Sequence, residues 1–287
     1  MDARAPISVA IPAHLRVDKL LHTLGVVHAC TPPPDEVIVH VDGGAPEVLA
    51  AVARAFPDVR LMISETLRGP GGARDAMIRE ARHEWVATFD DDSFPEPPDF
   101  FARTMEDAGR FPDAAVLSWD TLPEEQARRG FHHIAVFSGC GSVLSRRWYL
   151  RTRGFVPRVV AYGLEEVDVS LQLHALGGVI LFDARLRTVH DHPLPERFPD
   201  DTIAAVIANS FLFPLVSYPV VLWPLGLAQA LKYMLRILRT RRVRPVLKAL
   251  AGLPGDVREV WRWRHPVSAS AVLSWLELRR HPRPLSS

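Results

Sequence analysis

Cysteine is scarce in this chain, which has only Cys30 and Cys140 among its 287 residues. Two cysteines do not build the network of bridges that holds small secreted domains together, so a disulfide-rich fold is excluded. A signal peptide is not expected either, because Met1 to Pro6 is short and polar and a strand already begins at Ile7. These two features lead us to expect a protein of the reducing cytoplasm.

An excess of charge of one sign is also missing, since 34 basic and 33 acidic residues leave a net charge of +1. The field of the whole molecule therefore indicates no nucleic-acid partner. Hydrophobic residues make up 48% and charged residues 23% of the chain, a balance typical of globular proteins and not of disordered ones. A chain of this length buries one large core or two smaller ones.

Strands and helices alternate with short turns in the first third of the chain. Strands are predicted at Ile7–Ile11, Glu36–Asp42, Val59–Ile63 and Glu84–Phe89, with helices at Val17–Val27, Val48–Phe56 and 73–82 between them. This alternation predicts an α/β fold with a Rossmann-like, mostly parallel sheet flanked by helices. Ligands bind such sheets beyond the carboxyl ends of the strands.

Three adjacent carboxylates, Asp90, Asp91 and Asp92, follow the predicted strand that ends at Phe89. Such a cluster at the end of a buried strand is self-repelling unless a positive charge lies on it, and a divalent cation is the best candidate. A cation at this place suggests a phosphate ester as the ligand, since phosphates need charge neutralisation. The alternative is a helix N-terminus with surface acids.

Two further features fall at strand ends. Asp42 ends the second strand, where a carboxylate accepts hydrogen bonds from a base or a ribose hydroxyl, although Asp-Gly is also a common turn pair. Gly69-Pro70-Gly71-Gly72 precedes Arg74 at the start of a helix, which allows a ligand to approach the backbone with a guanidinium beside it.

An acidic stretch, Glu165, Glu166 and Asp168, opens a later predicted helix, Glu165–Leu176. Acids suit a helix N-terminus electrostatically, but one of them facing the cleft would serve as a general base. After a late strand at Val179–Phe182, His190 offers an imidazole as a further protein ligand of a metal such as Mn²⁺, with His192 as the alternative.

Taken in order, these motifs over residues 6 to 195 resemble the inverting family 2 glycosyltransferases, which have the GT-A fold. Asp90-Asp91-Asp92 is similar to the DXD metal motif of that family, and this is the most specific element. The resemblance extends to five other segments. They are the opening strand and turn at 7–14, the aspartate of the second strand at 41–44, the glycine-rich turn with its Arg-Asn pair at 69–75, the small-residue loop near the donor sugar at 139–141 and the ED motif at 162–168. Asp75 stands where the family usually has Asn.

The resemblance implies roles for individual residues. It places the catalytic base at Glu166, where many relatives have Asp, with Glu165 and Asp168 as alternatives. It places the metal ligands at Asp90, Asp92 and His190. The donor-binding residues that it implies are Pro12, His14, Asp42, Gly69, Gly72, Arg74, Asp90, Asp91 and Gly139.

The implied reaction is transfer from a nucleotide-diphosphate sugar to a hydroxyl of a saccharide or lipid-linked acceptor, in polysaccharide or glycolipid synthesis. The expected cofactor is Mn²⁺ or Mg²⁺, and UDP is the expected nucleotide because uridine is the commonest base in the family. Glu166 would deprotonate the acceptor hydroxyl, and the transition state would have oxocarbenium character. Specificity is expected in the small-residue loop, in Leu122–Gly130 and around Arg153–Ala161.

Charge is absent from Thr202 to Leu231, a run longer than the roughly 20 residues that cross a bilayer, although three prolines interrupt it. An amphipathic helix with Lys232, Arg236 and Arg239 on one stripe follows it. We therefore expect residues 1–200 to form the catalytic domain and residues 201–287 a helical region. That region either lies on an anionic membrane surface, packs on the domain or spans a membrane.

Two other functions are compatible with the sequence. A nucleotidyltransferase also uses a glycine-rich turn and acidic metal ligands, but it needs a glycine-rich, lysine-bearing loop after the first strand, where this chain has His14-Leu15-Arg16. A catalytically inactive protein that binds sugar nucleotides or serves as a membrane adaptor is the second alternative. Consumption of donor distinguishes it from the enzyme.

Overall fold

The computed structural model describes residues 4–120, 130–160, 164–191 and 198–285. Strands and helices alternate in the first third: β1 (Ala5–Ala13), α1 (Val17–Ala29), β2 (Pro34–Asp42), α2 (Pro46–Ala55), β3 (Arg60–Ser64), α3 (Gly69–Glu80) and β4 (Trp85–Thr88). The middle of the chain adds β5 (Ser93–Pro95), α4 (Phe100–Arg110), β6 (Ala114–Asp120), β7 (Phe131–Ile134), β8 (Ser142–Ser145), α5 (Arg146–Tyr149), α6 (Glu165–Ala175) and β9 (Val179–His190). The last third contains α7 (Asp200–Ser217), α8 (Trp223–Arg239), α9 (Val243–Val260), α10 (Ala269–Arg280) and β10 (Arg283–Pro284).

Within the described residues, the sheet has the strand order β10-β7-β9-β6-β8-β4-β1-β2-β3, and β5 pairs with the far end of β9. The neighbours β3, β2, β1 and β4 are all parallel, and so are β6 and β9. Along this path β7 and β8 run opposite to their neighbours. The remaining strands of the path point in one direction, whereas β5 runs antiparallel to β9, and the predicted α/β fold with a mostly parallel sheet is confirmed.

The structure differs from the sequence prediction at several strands. β1 continues beyond Pro12 to Ala13, although Pro12 has no N–H to donate. The pairing of β1 with β4 already stops at Ala10, so the missing N–H interrupts no hydrogen bonds between these two strands. The strand predicted at Val179–Phe182 extends to His190, where it pairs with Ser93. The strands β7 and β8 were not predicted, since four residues are too few to show a clear alternation.

Helices cover both faces of the sheet, because successive side chains of a strand point to opposite sides. Val9 packs in one buried cluster with Leu24 of α1. Its neighbour Ala10 packs in a second cluster with Met77 of α3. Burial on both faces fixes the register of β1, since a slip by one residue would exchange the two sets of side chains.

The C-terminal helices pack against the rest of the chain. Leu164 and Val167, at the start of α6, share a buried cluster with Leu212 of α7 and Trp275 of α10. The indole N–H of Trp275 also donates a hydrogen bond of 2.8 Å to the carbonyl of Ala135. These contacts make the helices part of a core that both regions of the chain build.

One helix in the described part of the chain is long and apolar enough to cross a membrane. It is α7, whose mean hydropathy is 1.2, and 56% of this segment is buried against the protein. α7 contacts both α8 and α9. Core helices of proteins without a membrane span have the same length and composition.

Candidate active site

A cavity of about 630 Å³ lies at the carboxyl ends of the central strands. β1 delivers Pro12, β2 delivers Asp42, and the loop after β4 carries Asp90. Helix starts complete the wall, with Gly69 at the beginning of α3 and Glu165 at that of α6. The topology therefore assembles side chains that are far apart in the sequence.

Most of the residues predicted from the sequence face this cavity. They are Pro12, His14, Asp42, Gly69, Arg74, Asp90, Asp91, Gly139, Glu165, Glu166 and His190. Gly72, Asp92 and Asp168 do not line it. A side chain at Gly72 would meet Arg68 and Pro157, so this glycine serves close packing.

Asp42 holds the glycine-rich turn. Its carboxylate accepts hydrogen bonds from the Ser64 hydroxyl at 2.7 Å and from the backbone amides of Arg68 and Gly69 at 2.9 Å. Gly69 has a φ of +73°, and a Cβ there would lie 1.7 Å from the carbonyl oxygen of Arg158. The turn is thus fixed by a buried carboxylate on one side and by close backbone contact on the other.

Arg74 is buried and links two acidic groups of the site. Its guanidinium donates to Glu165 at 3.1 Å and also to Asp90. The second oxygen of Glu165 accepts a hydrogen bond of 2.6 Å from the amide of Gly71. Burial, partly offset by Arg74, raises the pKa of Glu165 to about 7. Both oxygens of Glu165 are therefore occupied by protein donors.

The three acids at the start of α6 have different surroundings. Asp168 is fully buried and accepts hydrogen bonds from Arg153, Gln172 and Ser217, so it holds the fold together behind the cavity. Glu166 lines the cavity and forms no ion pair with the described residues. Burial raises the pKa of Glu166. A carboxylate of raised pKa that faces a cavity has the properties of a general base.

Arg16 lies on the aspartate cluster. Its guanidinium donates to Asp92 at 2.5 Å and, through Nε, to Asp91 at 3.0 Å. Burial, only partly offset by Arg16, raises the pKa of Asp91 to about 6. The pKa of Asp92 is lowered to about 2 in spite of its burial, because His190 and Arg16 stabilise the carboxylate. Arg16 and His190 thus compensate the negative charge of the cluster.

The donor atoms around His190 fit a divalent cation. Its Nε2 lies 3.5 Å from an oxygen of Asp92 and 3.8 Å from one of Asp90. Its Nδ1 lies 3.4 Å from the sulfur of Cys140. Carboxylate and imidazole groups are ligands of Mn²⁺, and a thiol adds a softer donor. The chemistry of the residues present is therefore compatible with the expected metal.

The sequence model of the family described as "Glycosyl transferase family 2" matches residues 8–164. The chain belongs to this family. The match begins within β1, includes β2 to β8 and the aspartate cluster, and ends one residue before α6.

A curated relative supports the assignment. The family 2 glycosyltransferase is 33% identical over 110 residues to "Succinoglycan biosynthesis protein ExoO" of Rhizobium meliloti (strain 1021). The aligned part is 38% of this chain and 31% of that protein, so the chain spans about a third of the relative's length.

Solved structures establish the fold. The mannosyltransferase PcManGT from Pyrobaculum calidifontis, solved with GDP-Man and Mn²⁺, has a TM-score of 0.59 and 15% identity over 97% of this chain and 88% of its own. GalNAc-T7, solved with UDP, GalNAc and Mn²⁺, has a TM-score of 0.58 and 14% identity over 77% of this chain and 49% of its own. The chain therefore has the GT-A fold that the sequence predicted, with a helical C-terminal region.

Sequence reasoning assigned no site role to Arg16 and Cys140, which are among the polar residues that line the cavity. Arg16 was noticed only as part of a loop that is not glycine-rich, and Cys140 only as one of two cysteines and as part of a small-residue loop. Neither had a visible signal, because both become site residues through contacts with distant parts of the chain. Several predictions lie outside the described residues, namely His192, Tyr162 and Gly163 of the ED motif, and residues 122–129 of a predicted specificity segment.

Proposed function

We propose that this chain is an inverting, metal-dependent glycosyltransferase that moves a sugar from a nucleotide-diphosphate sugar to a hydroxyl acceptor. The observation that carries the proposal is the arrangement of Glu166 in the same cavity as Arg74, Asp90 and Asp91. This reaction requires a base for the acceptor hydroxyl. It also requires positive charge for the diphosphate, which Arg74 and a metal held by the aspartates would provide. In this protein one cavity of about 630 Å³ contains both.

Glu166 is the base in this proposal. Glu165 is occupied by Gly71 and Arg74, and Asp168 by Arg153 and its neighbours. Glu166 would take the proton of the acceptor hydroxyl, and the oxygen then attacks the anomeric carbon from the side opposite the diphosphate. Attack from that side inverts the anomeric configuration.

Asp90, Asp92 and His190 would hold the metal, with carboxylate and imidazole donors. A bound divalent cation would neutralise the charge that develops on the diphosphate leaving group. The complexes of PcManGT and GalNAc-T7 with Mn²⁺ and a nucleotide or nucleotide sugar support this donor class. Their nucleotides are different, so the preference for UDP is based on the family resemblance.

The donor side of the site has its own positioning residues. Asp42 and the turn that it fixes would lie near the nucleoside, with Pro12 and His14 beside them. His14 is held by a hydrogen bond of 2.7 Å between its Nδ1 and the carbonyl of Asp42. Gly139 brings the small-residue loop close to Glu166, since a Cβ on Gly139 would lie 3.8 Å from its carboxylate.

We also propose that α8 and α9 rest on an anionic membrane surface, which suits a lipid-linked acceptor and the synthesis of a polysaccharide or glycolipid. Leu227, Leu231 and Leu235 of α8 are four residues apart and exposed. Lys232 and Arg236, also exposed, lie beside this stripe on the helix. An apolar stripe beside a basic row is typical of helices that lie in the membrane interface.

The second helix has a similar pattern. In α9, Val243, Leu247 and Leu250 are exposed, with Arg244 and Lys248 beside them. α7, in contrast, is largely covered by α8 and α9. The arrangement favours attachment to a membrane surface over a span.

Turnover of donor tests the proposed reaction. The purified protein is incubated with UDP-, GDP- and dTDP-sugars and Mn²⁺, with and without acceptor, and release of the nucleotide is measured. We expect release from one donor and, once an acceptor is found, a product of opposite anomeric configuration by NMR. Binding of a nucleotide sugar without any consumption would favour the inactive binding protein instead.

A further inference from the structure

Three side chains of different chemistry meet at one side of the cavity. Asp90 offers a carboxylate oxygen, Cys140 a sulfur and His190 an imidazole nitrogen, and one such atom of each lies within 4.8 Å of the other two. All three residues line the cavity. They come from the loop after β4, the loop before β8 and the end of β9, so the tertiary fold brings them together.

The separation of Cys140 and His190 matches that between two ligands of one metal ion. The Sγ of Cys140 lies 3.4 Å from Nδ1 of His190. Metal–sulfur and metal–nitrogen bonds of about 2.3 and 2.1 Å at a tetrahedral angle separate two such atoms by about 3.5 Å. Arg74 binds one oxygen of Asp90, and a carboxylate oxygen of Asp90 lies within 4.8 Å of both the sulfur of Cys140 and a ring nitrogen of His190.

We propose that Cys140 is a metal ligand together with Asp90 and His190, and that the site takes a thiophilic divalent cation such as Zn²⁺ or Co²⁺ more tightly than Mn²⁺ or Mg²⁺. Thiolate and imidazole ligands select the softer metals, whereas Mg²⁺ and Mn²⁺ prefer oxygen. When the metal–sulfur bond forms, the thiol loses its proton to solvent and the thiolate stays bound. The inference rests on the proposed function for the role of Asp90 and His190.

Cys30 provides a matched control. It is buried and free like Cys140, but its sulfur faces the carbonyl of Val26 in α1. Replacement of either cysteine by serine keeps the size and the capacity for hydrogen bonding and removes the soft donor. A role of Cys140 in packing or in a hydrogen bond to His190 would therefore survive in Cys140→Ser, and a role as ligand would not.

The test is a titration of the wild-type protein with Co²⁺, followed by absorption spectroscopy. A sulfur-to-cobalt charge-transfer band is expected in the wild type and in Cys30→Ser, and it should be missing in Cys140→Ser. Competition between Co²⁺ and Zn²⁺ should show that Cys140→Ser binds Zn²⁺ at least about tenfold more weakly than the wild type. Loss of a residue that only hydrogen-bonds to a metal ligand already lowers metal affinity by that factor. Circular dichroism establishes that both variants are folded.

Two results would overturn the proposal: no such band in the wild-type protein, or the same band in Cys140→Ser. Binding of a nucleoside diphosphate with Mn²⁺ is measured on the same samples. If that binding is intact while the band is missing, the thiol ligand is wrong and the glycosyltransferase reaction stands. If the band is present and no nucleotide binds, the metal site stands and the proposed function fails.

Discussion

Arg16 donates a hydrogen bond of 2.5 Å to the carboxylate of Asp92, at the position where the family resemblance expects a metal ligand. The same guanidinium binds Asp91. Its side chain is 48% exposed, whereas Asp92 is almost completely buried. An arginine at the mouth of the cavity therefore provides positive charge for the cluster, and a cation bound to the other oxygen of Asp92, which faces His190, would be repelled by that charge.

Replacement of Arg16 should have opposite effects on two ligands. In Arg16→Gln, Mn²⁺ alone is expected to bind several-fold more tightly, because a competing positive charge is removed from Asp92. A nucleoside diphosphate with saturating Mn²⁺ should bind several-fold more weakly, because the cavity loses a cation that attracts the diphosphate. Calorimetry measures both affinities.

Arg79→Gln is the control for Arg16. Arg79 is 39% exposed and pairs with Asp75 at 2.9 Å, so it is also a half-exposed arginine bound to an aspartate. It is not among the residues that line the cavity. We expect both affinities to be unchanged in this variant. A fall of both affinities in Arg16→Gln would mean that Arg16 only holds the fold, and the competition with the metal would be rejected.

Glu166→Gln should reduce transfer by a factor of about 10² to 10⁴, which is the usual contribution of a general base. Donor affinity should stay within about twofold, since Glu166 forms no ion pair with the described residues of the donor site. The base acts without its proton and its pKa is raised by burial, so wild-type turnover should fall as the pH drops through that raised pKa. Turnover and donor affinity are measured at each pH.

The variant Asp168→Asn tests whether Asp168, and not Glu166, is the catalytic base. Asp168 pairs with Arg153 behind the cavity, and loss of a buried ion pair costs about 3–5 kcal/mol in the free energy of unfolding. We expect a lower midpoint in urea but nearly normal turnover per folded molecule. Normal turnover in Glu166→Gln, together with loss of turnover in folded Asp168→Asn, would assign the base to Asp168.

The stability of the protein should depend on pH through Asp107. This buried carboxyl on α4 lies beside Asp183 and Arg185, and burial together with a hydrogen bond to Asp183 raises its pKa from 3.8 to about 8. The folded state therefore keeps a proton that the unfolded state releases near pH 4. The contribution of Asp107 to stability is complete below pH 4 and is lost as the pH rises through about 8.

Asp107→Asn removes this dependence, since the amide does not ionise. The free energy of unfolding of the wild type, from urea titrations at pH 6 and pH 9, should fall more steeply with pH than that of the variant. Equal slopes for the two proteins would show that Asp107 is already ionised at pH 6 in the folded state.

The membrane proposal predicts that Leu231→Glu weakens binding to vesicles that contain anionic lipid. The substitution places a negative charge in the exposed leucine stripe of α8, next to Lys232. Leu150→Glu is the control, because Leu150 has the same exposed fraction of 39% and lies after α5. Sedimentation with anionic vesicles at low salt should separate the two variants. No binding of the wild type, or equal loss in both variants, would reject the membrane surface.

Much of the fold was predictable because the pattern is local. The hydrophobic strands β1, β2 and β4, with Asp42 at the end of β2 and Asp90 after β4, determine where a ligand meets the sheet. The glycine-rich turn was also recognisable, although α3 begins at Gly69 and not at Ala73, since Pro70 suits the first turn of a helix.

What could not be predicted depends on contacts between distant residues. The resemblance favours Glu166 over Glu165 and Asp168, but the sequence does not show that Arg74 binds Glu165 and that Arg153 binds Asp168. The approach of Cys140 to His190 likewise requires β9 to extend to its pairing with β5.

The most direct test of the central claim is the thermal stability of the protein with UDP, GDP, dTDP or CMP, each with and without Mn²⁺ or Mg²⁺. A ligand that binds the folded state raises the unfolding midpoint by mass action. We predict a rise with one nucleoside diphosphate that requires the metal and is lost in Asp92→Asn. If no nucleotide raises the midpoint with either metal, the cavity does not hold a metal-bound donor and the account is wrong.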